Sequence, residues 1–222
     1  MSAPPYADRF DDLVARARAL AAGSGPRALL GIVGAPGAGK TTLALAVVRA
    51  LRAAGTDAVH VPMDGFHLAD VELERLGRRG RKGAPDTFDP AGYAALLYRL
   101  RAAPGTEPGP VYAPAFDREI EQPVAGSIPV PPEATLVVSE GNYLLLDDPA
   151  WRPVRAAFDE IWFHETDDDL RRDRLVARHV RFGKTPDAAR AWVEHTDEPN
   201  ARLVTASRGA ADLVVSCSEF PA

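Results

Sequence analysis

Residues Gly34-Ala35-Pro36-Gly37-Ala38-Gly39-Lys40-Thr41 carry the spacing G-x-x-x-x-G-K-[ST], the pattern of a loop that cradles phosphates. A di- or triphosphate bears several negative charges and needs many donors at close range. Glycines let the backbone pass through positive φ and bring amide hydrogens up to phosphate oxygens without a Cβ in the way. A helix starting near Gly39 adds its positive dipole end and its unpaired amides. Lys40 places a compact charge on the β- and γ-phosphates, the Thr41 hydroxyl offers an oxygen to Mg²⁺, and Thr42 follows in the first helical turn. The only lysines in the chain are Lys40, Lys82 and Lys184, against 26 basic residues in all. A lysine at the motif position therefore argues against a chance match.

Such a loop implies a nucleotide and leaves open what happens to its γ-phosphate. No Asn-Lys-x-Asp string and no Ser-Gly-Gly-Gln string occurs, which argues against a GTPase and against a transporter-type ATPase. The apolar run 134–139 ends without an aspartate. Glu140 stands there instead, placed to hold Mg²⁺ through water. Transfer of a phosphoryl group to a small alcohol remains, and it needs a carboxylate beside the acceptor, a metal and cations over the transferring group. Asp64, which follows a second apolar run, is the expected base. Arg174 and Arg178, four apart, share a helix face and are expected to close over the phosphates with Lys40. The bland alternative for both is a solvated face paired with Asp167, Asp168 and Asp169.

On the acceptor side, His67 follows Asp64 by three residues and is either a hydroxyl partner or simply structural. Arg81 and Lys82, in the basic stretch Arg78–Lys82, either grip an anionic acceptor or are solvated. Tyr112, Phe116, Asp117 and Arg118 combine aromatic faces with polar handles, a mix that suits a sugar, a nucleoside or a pantothenate-like polyol. Asn142 completes this set. Asp86 and Asp89 are as well explained by helix capping as by chemistry.

The elements that must hold these residues follow from periodicity. Apolar residues at Phe10, Leu13, Val14, Ala17 and Leu20 give a lead-in helix that Gly23-Ser24-Gly25-Pro26 ends. Strands are expected at 28–33, 58–62, 134–139, 160–164 and 211–216, and helices at 42–51, 68–76, 90–101, 167–181 and 186–195. Short strands alternating with helices imply a mostly parallel sheet, with ligands at the carboxyl ends of its strands. The proline-rich segment 103–132 reads as a long irregular insert carrying a small hairpin near 110–112 and 127–130.

The chain has 222 residues, 46% of them hydrophobic and 26% charged, which is globular usage with room for one domain and a lid. A net charge of −5 does not favour a nucleic-acid or anionic-membrane surface. The single cysteine, Cys217, leaves no internal disulfide and no cysteine-based zinc site, which suits a reducing cytoplasm. Residues Met1–Asp12 have no apolar core of a signal peptide, and no apolar run approaches a membrane span.

Four strings come in a fixed order: the phosphate loop, Met63-Asp64-Gly65-Phe66-His67, Arg81-Lys82-Gly83-Ala84-Pro85-Asp86-Thr87-Phe88-Asp89, and Ser139-Glu140-Gly141-Asn142-Tyr143-Leu144-Leu145-Leu146. With them the chain resembles the phosphoribulokinase, uridine kinase and bacterial pantothenate kinase family from about Ala28 to Ser216. It is most similar to the branch of bacterial nucleoside/nucleotide kinases and fructose-transport kinases. The resemblance implies an α/β P-loop NTPase fold, a three-layer sandwich with a mostly parallel sheet and a helical lid at about 167–200. It implies ATP and Mg²⁺, a catalytic role for Asp64, phosphate and metal contacts for Lys40 and Thr41, and a second acidic residue near the metal in Glu140. Phosphate-binding arginines fall in Arg174–Arg181, although the family's Arg-Gly-Arg ending reads Arg181-Phe182-Gly183-Lys184 here. Asn200 and Ser207-Arg208 match elements near the adenine, which places Arg208 in the nucleotide site. Family members are commonly dimeric. The expected activity is ATP-dependent phosphorylation of a small-molecule hydroxyl. The alternative is a regulatory or assembly ATPase of the same fold.

Overall fold

The computed structural model describes residues 4–23 and 25–216. Cys217, Ser24 and the first three residues of the leading stretch lie outside them. In chain order the strands and helices are β1 (Tyr6–Ala7), α1 (Phe10–Gly23), β2 (Ala28–Val33), α2 (Lys40–Ala53), β3 (Ala58–His60), α3 (Asp70–Arg75), α4 (Pro90–Ala102), β4 (Val111–Asp117), β5 (Gln122–Val130), β6 (Leu136–Gly141), α5 (Arg152–Ala156), β7 (Glu160–His164), α6 (Asp168–Arg181), α7 (Pro186–Trp192), α8 (Glu198–Ala206) and β8 (Leu213–Val215). A five-residue π-helical stretch, Val193–Asp197, joins α7 to α8.

Six strands form one sheet in the order β1-β8-β7-β2-β6-β3, and every pairing in it is parallel. β2 lies between β6 and β7, and all six of its residues are buried, as expected for a strand covered on both faces. Its side chains divide with period two. Leu29 and Val33 enter one core with Tyr93 and Leu97 of α4 and Val154 of α5. Ala28, Leu30 and Ile32 enter the other with Leu13 of α1 and Leu43, Val47 and Leu51 of α2. The three layers are thus written in the alternation of one strand.

Register brings the strand ends level. Val33 pairs with Gly141 on one side and Phe163 on the other, so Gly34 and Asn142 leave the sheet level with His164, the last residue of β7. The 103–132 segment is more ordered than its prolines suggested. β4 and β5 form an antiparallel hairpin of their own, with an irregularity between Ala113 and Ala115, where Pro114 has no amide to give the ladder. Three short elements, β1, α5 and α8, had no periodicity to announce them.

Candidate active site

Two clefts open where the strands end. The first, about 920 Å³, is lined by Ala38, Gly39 and Thr42 of the phosphate loop and α2, by residues 163–168 from the end of β7 to the start of α6, and by Arg171 and Arg174 of α6. The second, about 630 Å³, is lined by Pro36, Gly37, Lys40 and Thr41, by Asp64 and His67, by Glu140 to Asn142, and by Arg178. The loop is the wall between them.

The loop is fixed from several sides. Thr166 Oγ1 donates to the Ala38 carbonyl at 2.7 Å. Gly37 has φ +80°, and a Cβ there would stand 2.5 Å from the Arg171 carbonyl oxygen, so the loop touches α6 where only glycine fits. Lys40 is buried, with Nζ donating to the Ala35 carbonyl at 3.1 Å. Burial lowers its pKa to about 8, against the pull of Glu140 and Asp64. A bound anion would reverse that shift. Buried His164, at the end of β7, is held neutral, its pKa lowered to about 4 chiefly by burial.

Asp64 sits in a one-turn 3₁₀ helix, Met63–Phe66, just after β3. Gly65 in that turn lies against β4, since a Cβ there would meet the Pro114 carbonyl oxygen at 2.4 Å. The insert hairpin therefore packs on the turn that carries the candidate base. Arg118, in the hairpin's tight turn, donates to Asp64 Oδ2 at 3.1 Å. Burial alone would raise the Asp64 carboxyl; His67 and Arg118, together with Lys40 and Arg178, outweigh it and hold it below the usual carboxylate range. His67 Nδ1 meets the Asp64 carbonyl at 2.8 Å, and its ring lies 4.0 Å from Phe88 and 4.7 Å from Phe116, centroid to centroid. Burial lowers the pKa of this imidazole.

Thr41 Oγ1 donates to Glu140 Oε1 at 3.0 Å, so the first turn of α2 and the end of β6 present a hydroxyl and a carboxylate side by side. His60 Nε2 lies 3.6 Å from the same carboxylate oxygen.

Comparisons with known proteins bear on this arrangement. No family model matches the chain. A Schizosaccharomyces pombe protein provisionally named a uridine kinase is 32% identical over 95% of this chain and 92% of its own length. An ATP-dependent kinase-like protein of Aspergillus versicolor is 37% identical over 66% of this chain and 88% of its own. The crystal structure of a protein from Silicibacter sp. TM1040, provisionally named a fructose transport system kinase, superposes with TM-score 0.83 at 38% identity, covering 94% of this chain and 99% of that one. The chain belongs to the uridine kinase-like family of P-loop kinases. Among the described residues no helix is long and apolar enough to cross a membrane.

The site residues expected from the sequence distribute unevenly. Lys40, Thr41, Asp64, His67, Lys82, Phe116, Arg118, Glu140, Asn142 and Arg178 all line the second cleft. Arg174 does not: it lines the first cleft, beside Gly39 and Thr42. Arginines four apart share a helix face, but the loop they face divides that space. Three acceptor-side candidates lie away from both clefts. Arg81 is exposed and paired with Asp86 at 2.6 Å. Tyr112 is exposed on β4. Asp117 Oδ1 accepts from the Glu119 and Ile120 amides at 2.8 and 3.3 Å, so it shapes the hairpin turn. Arg208 pairs with Glu165 and reaches the first cleft only through it. Asn200, expected near the adenine, lines the second cleft instead. Lys82 is fixed by Asp70 at 2.6 Å, and Asp89 caps α4 through Gly92 N at 2.9 Å.

Sequence reasoning missed several lining residues. Phe182, Lys184, Trp192 and Asp197 reach the second cleft from the stretch after α6, and His164 and Thr166 reach the first. Of these, only His164 and Thr166 had a local signal, a polar pair at the end of a buried strand.

Proposed function

We propose that the chain moves the γ-phosphoryl group of ATP, bound with Mg²⁺, to a hydroxyl of a small metabolite such as a nucleoside, a sugar or a pantothenate-like polyol. The observation that carries this is the Asp64 carboxylate opening into the same cleft as Lys40. The nucleoside end of ATP fits the first cleft, and its phosphates cross residues 34–42. The acceptor hydroxyl lies between Asp64 and the γ-phosphorus. Its oxygen bonds to phosphorus as the bond to the bridging oxygen breaks, ADP leaves, and the proton passes late to Asp64. Lys40 and Arg178 neutralise charge spreading over the phosphoryl oxygens. Arg174 acts on the nucleotide from the first cleft, with Arg208 steadying Glu165 at its edge.

Thr41 and Glu140 would hold Mg²⁺, which supplies charge neutralisation at the β- and γ-phosphates. Their oxygens are the hard donors such an ion takes. No group of three or more His, Cys, Asp or Glu able to hold a metal occurs among the described residues. Mg²⁺ beside a nucleotide takes one or two protein oxygens plus substrate phosphates.

Incubation with ATP, Mg²⁺ and a panel of nucleosides, pantothenate, ketohexoses and pentose phosphates tests the reading. Acceptor-dependent ADP release supports it. Slow release indifferent to every acceptor favours the regulatory or assembly ATPase. The dimer that the resemblance implied is part of the proposal, checked by light scattering.

A further inference from the structure

Six cationic side chains line the cleft that holds Asp64: Lys40, Arg79, Lys82, Arg118, Arg178 and Lys184. Asp70 takes Arg79 and Lys82, at 3.3 and 2.6 Å. Lys40 and Arg178 are the cations that a transferring phosphoryl group occupies in the reaction above. Two remain. Lys184 lies over the Trp192 ring, Nζ 4.4 Å from its centroid, and has no carboxylate partner among the described residues. Arg118 has one carboxylate partner, and that partner is Asp64.

The Arg118–Asp64 pair conflicts with the work proposed for Asp64. A carboxylate oxygen held by a guanidinium accepts a hydroxyl proton less readily, because the cation favours the ionised form. The pair is nevertheless easy to part. Its side chains are 42% and 32% exposed, and solvent-exposed pairs add little to stability. Arg118 also sits in the hairpin turn beyond β4, where it can swing without disturbing the sheet. A neutral alcohol offers it nothing in exchange for Asp64. A second anion does.

We propose that the acceptor is itself an anion, a hydroxycarboxylate or a phosphorylated polyol, whose negative group draws Arg118 off Asp64 and is held between Arg118 and Lys184. This rests on Asp64 as the base. Arg118 is then both a specificity determinant and a latch: the base is released only when the acceptor is seated, which spares ATP from water. Carboxylate and phosphate monoester share the chemistry required, since both accept two parallel hydrogen bonds from a guanidinium. Glu121, on the same turn and lining the same cleft, is left to accept from the acceptor's remaining hydroxyls. The names of two relatives point to uridine and fructose, which carry no charge.

The experiment measures ADP release and product mass with four probes. Glycerate and ribose 5-phosphate carry the two kinds of anion; fructose and uridine carry none. Wild type, Arg118→Met and Arg118→Lys are compared. The expected result is a kcat/KM for one anionic probe at least tenfold above both neutral ones. Arg118→Met should raise KM for that probe at least tenfold, and Arg118→Lys should recover part of the loss. The identity of the winning probe separates carboxylate from phosphate. Preference for a neutral probe, or an equal loss with all four in Arg118→Met, overturns the proposal and leaves the kinase standing. If no probe stimulates ADP release, the proposal is judged on the latch alone. Basal hydrolysis at least fivefold faster in Arg118→Met then supports it, and an unchanged or slower rate overturns it.

Discussion

At Asp64 and Lys40, burial and charge pull in opposite directions, and the balance sets two measurable properties. Asp64 is kept ionised by the cations around it in spite of burial. Asp64→Asn keeps the shape and loses the base, so kcat should fall roughly 10²–10⁴-fold while ATP affinity by calorimetry stays within about threefold of wild type. Turnover equal to wild type would remove Asp64 from the base role. Lys40 is the reverse case, its pKa lowered to about 8 by burial. Without nucleotide, the unfolded chain keeps that proton between about pH 8 and the ordinary lysine value while the folded chain has lost it. The ligand-free protein should therefore gain stability with rising pH across that window. Nucleotide binding must restore the proton, so the Kd for ATP should weaken up to about tenfold per pH unit above 8. Lys40→Ala should weaken ATP binding and abolish that pH dependence. Calorimetry at pH 7, 8 and 9 checks both.

At the scale of elements, α6 is the piece whose sequence explains both its stability and its use. Asp167 caps it through the Asp169 and Leu170 amides, acidic residues fill its first turn, and Arg178, His179 and Arg181 fill its last, which suits the helix dipole at both ends. Arg171 ties it to α8 through Glu198 at 2.6 Å. The helix then delivers two arginines to different clefts. Arg178→Ala should lower kcat by about 10²–10³-fold with a small change in the KM for ATP, as for loss of a donor to the transferring group. Arg174→Ala should chiefly raise the KM for ATP. Steady-state kinetics on both variants separates the roles; an identical loss in kcat from each would put both arginines on the phosphoryl group.

At the scale of the whole molecule, Arg27 is the side chain that ties distant segments together. It is buried just before β2 and donates to the carbonyls of Ala134, Leu100 and Pro131 at 2.7, 2.9 and 2.6 Å. It thus joins the end of α4 and the approach to β6 to the central strand. Arg27→Met leaves those carbonyls buried without donors and should cost roughly 2–4 kcal/mol in denaturant unfolding, with activity of the folded fraction retained. A loss below about 0.5 kcal/mol, the size of an ordinary surface change, would show that water replaces the guanidinium.

The sequence by itself determined what depends on neighbours along the chain. The phosphate loop, its flanking strand and helix, and the strand at 160–164 follow from local spacing and from backbone preferences. The grounds for grouping Lys40, Thr41, Asp64 and Glu140 are likewise local, because each lies at or just past the end of a strand and a parallel sheet aligns strand ends. Tertiary structure alone decided what depends on residues far apart meeting. Arg118 reaches Asp64 because Gly65 lets a proline-rich hairpin lie on the turn that carries Asp64. Arg174 and Arg178 part company because a loop more than a hundred residues earlier stands between them. Tyr112 and Asp117 fall outside the cleft because hairpin register, invisible in composition, turns them to solvent and to the turn amides. Local sequence specifies the conformation of a segment, whereas the segment it packs against is chosen by burial and shape across the whole chain.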